Sequence, residues 1–123
     1  MSTRRILCVS FDKVASENRC SSLREAGYDV RACTSVQEGL DLLTLEAFDA
    51  VIVGHRFSAE ERYLLAVEAK EKANTPVVLV CGVTSDSDIP ASARVYALEG
   101  NLGLLAALSE LSLVQSAAPP RAA

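Results

Sequence analysis

The sequence predicts an α/β fold in which a parallel sheet is covered by helices on both faces. Three short apolar runs support this prediction: Ile6 to Val9, Val51 to Val53 and Val77 to Val80. Continuous apolar runs of this length are typical of strands buried on both faces, because half-exposed strands alternate apolar and polar residues. Segments of helical character separate these runs, so the order along the chain is strand, helix, strand, helix.

The first helix is predicted over Val14 to Ala26. Gly27 follows it and can adopt the left-handed conformation that commonly ends a helix. The next segment, Tyr28 to Cys33, is predicted to be the second strand.

A capping box opens the second helix. Ser35 and Glu38 stand three residues apart, a spacing at which each side chain can satisfy a free backbone amide of the other residue. Apolar residues then follow at helical spacing, namely Val36, Leu40 and Leu43. We expect this helix to end near Glu46.

A second capping box, Ser58 with Glu61, opens the third helix. This helix is predicted to end at about Asn74, because Pro76 cannot continue it. The fourth strand follows immediately.

The C-terminal third contains one irregular segment, one strand and one helix. Gly82 to Ser92 is rich in Ser and Asp and is broken by Pro90, so we expect at most a short irregular fourth helix there. The fifth strand is predicted over Val95 to Leu98. The last helix is predicted over Leu102 to Val114. It would place an apolar stripe on the sheet, formed by Leu104, Leu108 and Leu111.

Length and composition indicate one domain. The chain has 123 residues, of which 50% are apolar, enough for one hydrophobic core but not two. We assign residues 1–114 to this domain and 115–123, rich in Pro and Ala, to a disordered tail. The net charge of −4 offers no basic face for nucleic acid. No apolar run is long enough for a membrane span and no secretion signal is present, so we expect a cytoplasmic protein without membrane contact.

The four cysteines show no metal-ligand spacing. The sequence has no C-x-x-C pair and a single histidine, so we expect reduced thiols that are mostly buried. We expect neither a metal nor a cofactor. No glycine-rich phosphate loop occurs, and no nucleophile with a base can be assembled, so we do not expect an enzyme.

Five strands alternating with helices imply right-handed βαβ crossovers in a three-layer sandwich. The natural strand order is the flavodoxin-like one, 2-1-3-4-5. In such sheets the functional crevice lies beyond the carboxyl ends of strands 1 and 3. The residues of interest are therefore those just after Val9, Val53 and Val80.

The chain resembles the receiver domain of two-component response regulators over Arg5 to Leu113. Four sequence segments, spaced as in that family, carry this resemblance. They are Ile6 to Val9, Glu25 to Val30, Ser35 to Leu43 and Phe48 to Val53. The last of these is similar to the strand that leads into the phosphoacceptor aspartate of that family.

The resemblance also implies that the phosphorylation pocket is degenerate. The family needs an acidic pair after strand 1 and an aspartate after strand 3, which hold a divalent metal, and the aspartate is also the nucleophile. By alignment the acidic pair falls on Ser10 and Phe11, and the acceptor falls on Gly54. We therefore expect a pseudo-receiver that acts in signal transduction by phosphorylation-independent protein contacts, either with a protein partner or as a homodimer.

Three further positions support that interpretation. Cys81 stands where the family ends strand 4 with a hydroxyl, and strand 5 has no lysine, only Glu99 nearby. Asp12 could supply one carboxylate if its loop shifted, but a single carboxylate is a poor site for a divalent cation.

The alternative is a ligand- or redox-responsive sensor that uses the crevice at the carboxyl ends of the strands. Cys81 would supply a thiol there, and His55 and Arg56 could bind an anion. The simpler interpretation is that Cys81 fills space and that His55 and Arg56 lie in solvent.

Overall fold

The computed structural model describes residues 4–54, 57–72, 75–81, 91–96 and 103–110. Five strands form one parallel sheet in the order β2-β1-β3-β4-β5, which confirms the predicted flavodoxin-like fold. The strands are β1 Arg5–Val9, β2 Asp29–Cys33, β3 Ala50–Val53, β4 Val77–Cys81 and β5 Ala93–Tyr96. The helices described are α1 Lys13–Glu25, α2 Val36–Leu45, α3 Ala59–Lys72 and α4 at residues 103–110.

Local sequence signals set the helix ends. Gly27 has φ 101°, the left-handed conformation expected after α1. The amide of Glu38 donates to Ser35 Oγ at 3.1 Å at the start of α2. The second capping box is reciprocal, because the amide of Glu61 donates to Ser58 Oγ at 3.1 Å and the amide of Ser58 donates to Glu61 Oε1 at 3.2 Å. The predicted end of α3, at Asn74, lies outside the described residues.

The fifth strand begins at Ala93 rather than at Val95, so the predicted start was wrong. Ser92 already bonds to β4, since its amide donates to the Val77 carbonyl at 2.8 Å. β5 pairs only with β4 and is an edge strand, so it can contain Arg94 where a central strand would be apolar. The predicted irregular segment at 82–90, the end of the last helix beyond residue 110 and the tail at 115–123 lie outside the described residues.

The sheet has an apolar core on each face. Alternate residues of β1 enter opposite cores: Leu7 and Val9 pack with α2 and α3, whereas Ile6 and Cys8 pack with α1 and α4. Leu104 and Leu108 are buried in the second core, as the predicted stripe requires. Burial of each large side chain stabilises the fold by about 1.5–3 kcal/mol.

Two expectations from composition can be compared with the structure. All four cysteines are free and buried, as predicted. Within the described ranges, no helix is both long and apolar enough to cross a membrane.

Candidate functional site

The candidate site lies where β1 and β3 end side by side. The two strands are paired in register up to Val9 and Val53. Beyond them, the amide of Gly54 donates to the Val9 carbonyl at 2.8 Å, and the amide of Ser10 donates to the Cys33 carbonyl at 3.1 Å. Ser10 and Gly54 therefore meet at the edge of the sheet that the topology predicts.

Residue 54 fits tightly against β1. A Cβ on Gly54 would stand 3.3 Å from the Val9 carbonyl oxygen and 3.4 Å from Ser10 Cα. It would also stand 3.7 Å from Ser10 Oγ. A side chain at this position would project beside Ser10. Glycine instead offers no side-chain oxygen to the site.

A guanidinium group lies close to this place. Arg19 Nη1 donates to Ser10 Oγ at 2.6 Å, and Ser10 is only 2% exposed. Helical side chains point back toward the helix N-terminus, so Arg19, in the second turn of α1, can reach the loop before the helix. The result is a fixed positive charge next to Ser10.

Sequence reasoning missed Arg19. A signal for it does exist, because residue 19 is three residues after Ser16 and four before Leu23, and both of those are buried. That spacing places residue 19 on the helix face that packs on the sheet.

Asp12 has a structural role. It is the N-cap residue of α1, and its Oδ1 accepts hydrogen bonds from the amides of Val14 at 2.9 Å and Ala15 at 3.4 Å. Loss of such a cap costs about 0.5–2 kcal/mol. The loop shift that would free this carboxylate must overcome that cost.

Among the residues that the structure describes at this edge, the side chains do not suit a divalent cation. Magnesium requires oxygen ligands that include carboxylates, whereas this edge offers the Ser10 hydroxyl, the Phe11 ring and an Asp12 carboxylate that caps a helix. The Arg19 guanidinium would repel a bound cation. Within the described residues, no three His, Cys, Asp or Glu side chains are grouped closely enough to hold a metal ion.

An aromatic pair stands at the same edge. Phe11 is 59% exposed and contacts the buried Phe57 edge to face, with ring centroids 5.9 Å apart. The Phe57 carbonyl accepts a hydrogen bond from Arg62 Nε at 3.1 Å, which holds the start of α3. This pair could not be predicted from local patterns, because the two rings come from different loops.

Cys81 does not stand at an open crevice, contrary to expectation. Its side chain is fully buried in the core formed with α2 and α3, and its Sγ donates to the Leu79 carbonyl at 3.9 Å. The remaining predicted site residues, His55, Arg56 and Glu99, lie outside the described residues. Their proximity to Cys81 therefore stays a prediction.

Comparison with known proteins shows similarity at the level of structure. No family model matches the sequence, and no curated protein matches it. A receiver domain protein (CheY-like) from Methanospirillum hungatei JF-1 has a TM-score of 0.79 at 21% identity, covering 94% of this chain and 98% of its own. The signal receiver domain of an HD domain-containing protein from Pseudomonas fluorescens Pf-5 has a TM-score of 0.81 at 18% identity, with the same coverage.

A third solved structure shows a similar degree of structural similarity to this chain. A response regulator receiver protein from Sinorhizobium medicae WSM419 has a TM-score of 0.78 at 24% identity, covering 89% of this chain and 94% of its own. Identities this low establish the fold and leave the function open. The chain therefore has the fold of response-regulator receiver domains.

Proposed function

We propose that this chain is a pseudo-receiver, a receiver-fold domain that acts in signal transduction through protein contacts and without aspartyl phosphorylation. The observation that carries this proposal is Gly54 at the carboxyl end of β3, next to Ser10. A receiver that accepts a phosphoryl group needs a carboxylate nucleophile, and a glycine provides none.

The electrostatics of the site support the same proposal. In a phosphorylated receiver, a divalent metal neutralises the charge of the incoming phosphoryl group. Here the Arg19 guanidinium already supplies a positive charge, bonded to Ser10 within the chain. Because Arg19 is part of the chain, this positive charge is present without a bound metal, and we propose that the domain uses neither a metal nor a cofactor. We also propose that it is not an enzyme, because Gly54 provides no nucleophile at this position.

The exposed side chains at this edge favour a protein partner. Phe11 and Val14 are 59% and 74% exposed, and both are close in sequence to Ser10. Aromatic anchors are enriched at protein interfaces. Leu104 and Leu108, two apolar residues of α4, are buried against the sheet, so neither is available for a homodimer contact.

A magnesium titration followed by amide NMR tests this proposal. With Mg²⁺ alone, and with Mg²⁺ plus beryllium fluoride as a phosphoryl mimic, we expect no saturable shifts at the amides of Ser10, Asp12 and Gly54. Saturable shifts at these amides, with unchanged amides on β5, would mean that the site still binds the ligands of an active receiver.

The alternative, a sensor at the crevice, rests on Cys81, His55 and Arg56. The burial of Cys81 in the core gives it no support. A thermal-shift screen against a panel of nucleotides and metabolites would detect a ligand as a rise in melting temperature.

A further inference from the structure

The free edge of the sheet at β2 is a second surface of interest. In the described sheet, β2 is an outermost strand and its one neighbour is β1. The amide of Asp29 donates to the Arg4 carbonyl at 2.9 Å, and the Cys33 carbonyl also bonds on the β1 side. Because backbone groups alternate sides along a strand, those of Val30 and Ala32 point away from β1.

Most of these outward groups have no hydrogen-bond partner within the described ranges. The Val30 carbonyl accepts a hydrogen bond from Arg24 Nη2 at 3.1 Å. The amides of Val30 and Ala32 and the carbonyl of Ala32 have no partner in those ranges. A strand edge with free N–H and C=O groups is a template for pairing with another extended chain. Arg24 therefore shields one point of this edge and leaves the rest open.

A groove of about 500 Å³ runs along this edge, and we call it the β2 groove. Arg24 and the strand itself form one side of it. Its other side is α2, which contributes Glu38, Asp41 and Leu42. Residues three and four apart lie on the same face of a helix, so Leu45, which is 77% exposed, continues this wall beyond Leu42. The β2 groove thus combines free backbone groups, two carboxylates and an exposed apolar side chain.

The α2 wall of the groove carries negative charge. Arg31 also lines the groove, but its Nη2 is paired with Glu46 Oε2 at 2.8 Å. Glu38 and Asp41 form no ion pair with any described residue, and their side-chain hydrogen bonds come from neutral groups. A strand added at this edge would place alternate side chains beside the wall. A lysine or arginine at such a position would be attracted to these two carboxylates.

A second copy of this chain is less suited to the edge than a basic segment of another protein. Antiparallel pairing of β2 with its own copy about a twofold axis places α2 of both copies on the same face of the joined sheet. Glu38 and Asp41 of one copy would then lie on the same side as the same carboxylates of the other copy. Like charges oppose such pairing, so the charge of the wall favours a different, basic chain.

We propose that the β2 groove binds an extended, basic segment of another protein as an added strand. The backbone of this segment bonds to the free groups of Val30 and Ala32, and its basic side chains pair with Glu38 and Asp41. The segment also covers the exposed Leu45. In complexes of this kind, main-chain hydrogen bonds supply affinity and alternate side chains supply selectivity. The proposal rests on the proposed function only for the existence of a protein partner, and the groove lies outside the candidate site.

Amide NMR of the full chain, titrated with a synthetic peptide, tests the proposal. The probe is the acetylated and amidated peptide Thr-Val-Lys-Val-Lys-Val-Thr. We expect saturable shifts at the amides of Val30 and Ala32, with unchanged amides in β5, which forms the other edge of the sheet. The peptide with glutamate in place of lysine should bind about tenfold more weakly, because its charges match those of the α2 wall.

Two double variants provide the matched comparison. Glu38→Gln combined with Asp41→Asn should weaken binding of the lysine peptide about tenfold, because both ion pairs are lost. Glutamine keeps the capping box at the start of α2. Glu60→Gln combined with Glu71→Gln removes the same charge from exposed positions of α3 and should leave the affinity unchanged.

Four results would overturn the proposal. They are no saturable shift at Val30 and Ala32, equal shifts in β5, equal affinity for the two peptides, and equal affinity of the two double variants for the lysine peptide. Shifts of the Val30 and Ala32 amides on dilution of the peptide-free chain would also overturn it, since they would assign this edge to a second copy. Each of these results leaves the pseudo-receiver proposal intact, because none of them concerns phosphoryl transfer.

Discussion

Removal of the Ser10 hydroxyl should weaken the fold by a measurable amount. Its Oγ accepts a 2.6 Å hydrogen bond from Arg19 and is otherwise buried. A hydrogen bond to a charged group contributes about 1.5–3 kcal/mol. Because Arg19 is only partly buried and can regain water, we expect Ser10→Ala to cost the lower value, about 1.5 kcal/mol. In a domain of this size that lowers the melting temperature by roughly 4–8 °C.

A double-mutant cycle shows whether the loss comes from this contact. Arg19→Met and Ser10→Ala are measured singly and together by urea unfolding, and we expect a coupling energy of about 1 kcal/mol or more. Lys13→Met, on the same helix but exposed, serves as the control and should cost less than about 0.5 kcal/mol. A coupling energy below about 0.3 kcal/mol between positions 10 and 19 would refute the role assigned to Arg19.

Three further predictions concern stability. Gly54→Ala should destabilise the fold by about 1 kcal/mol in urea unfolding, because the added Cβ would stand 3.3 Å from the Val9 carbonyl oxygen. A variant more stable than the natural chain would show that β1 moves away without cost. Asp12→Ala should cost about 1 kcal/mol through loss of the α1 cap, whereas Asp12→Asn should keep most of that stability, and equal losses would contradict the capping role. Burial raises the pKa of Cys33 from 9.0 to about 11. The contribution of the neutral thiol to folding stability is therefore fully present below pH 9 and is lost as the pH rises toward 11. Unfolding at pH 8 and pH 11 should therefore show a smaller alkaline loss for Cys33→Ala than for the natural chain, and an equal loss would contradict this.

The order of the strands and most helix ends could be predicted from the sequence, because the signals are local. The apolar runs of β1, β3 and β4 mark strands buried on both faces, and serine and glutamate three residues apart mark the starts of α2 and α3. β5 was misplaced because an edge strand may contain a polar residue, here Arg94. Edge strands lack the continuous apolar pattern on which the prediction depended.

The site was predicted only in part, because its contacts join distant elements. Ser10 and Gly54 follow directly from the ends of two strands, but the Arg19 contact depends on how α1 packs. The orientation of Cys81 could not be predicted, since every residue of β4 is buried and the pattern does not distinguish the two faces.

The most direct test of the central claim is incubation of the full chain with acetyl phosphate and Mg²⁺, followed by intact-mass measurement, with a phosphorylatable receiver domain in parallel. We expect no mass increase for this chain under conditions in which the control gains one phosphoryl group. A phosphoryl adduct that Mg²⁺ enhances would contradict the proposal that Gly54 and Arg19 leave this fold without phosphoryl transfer.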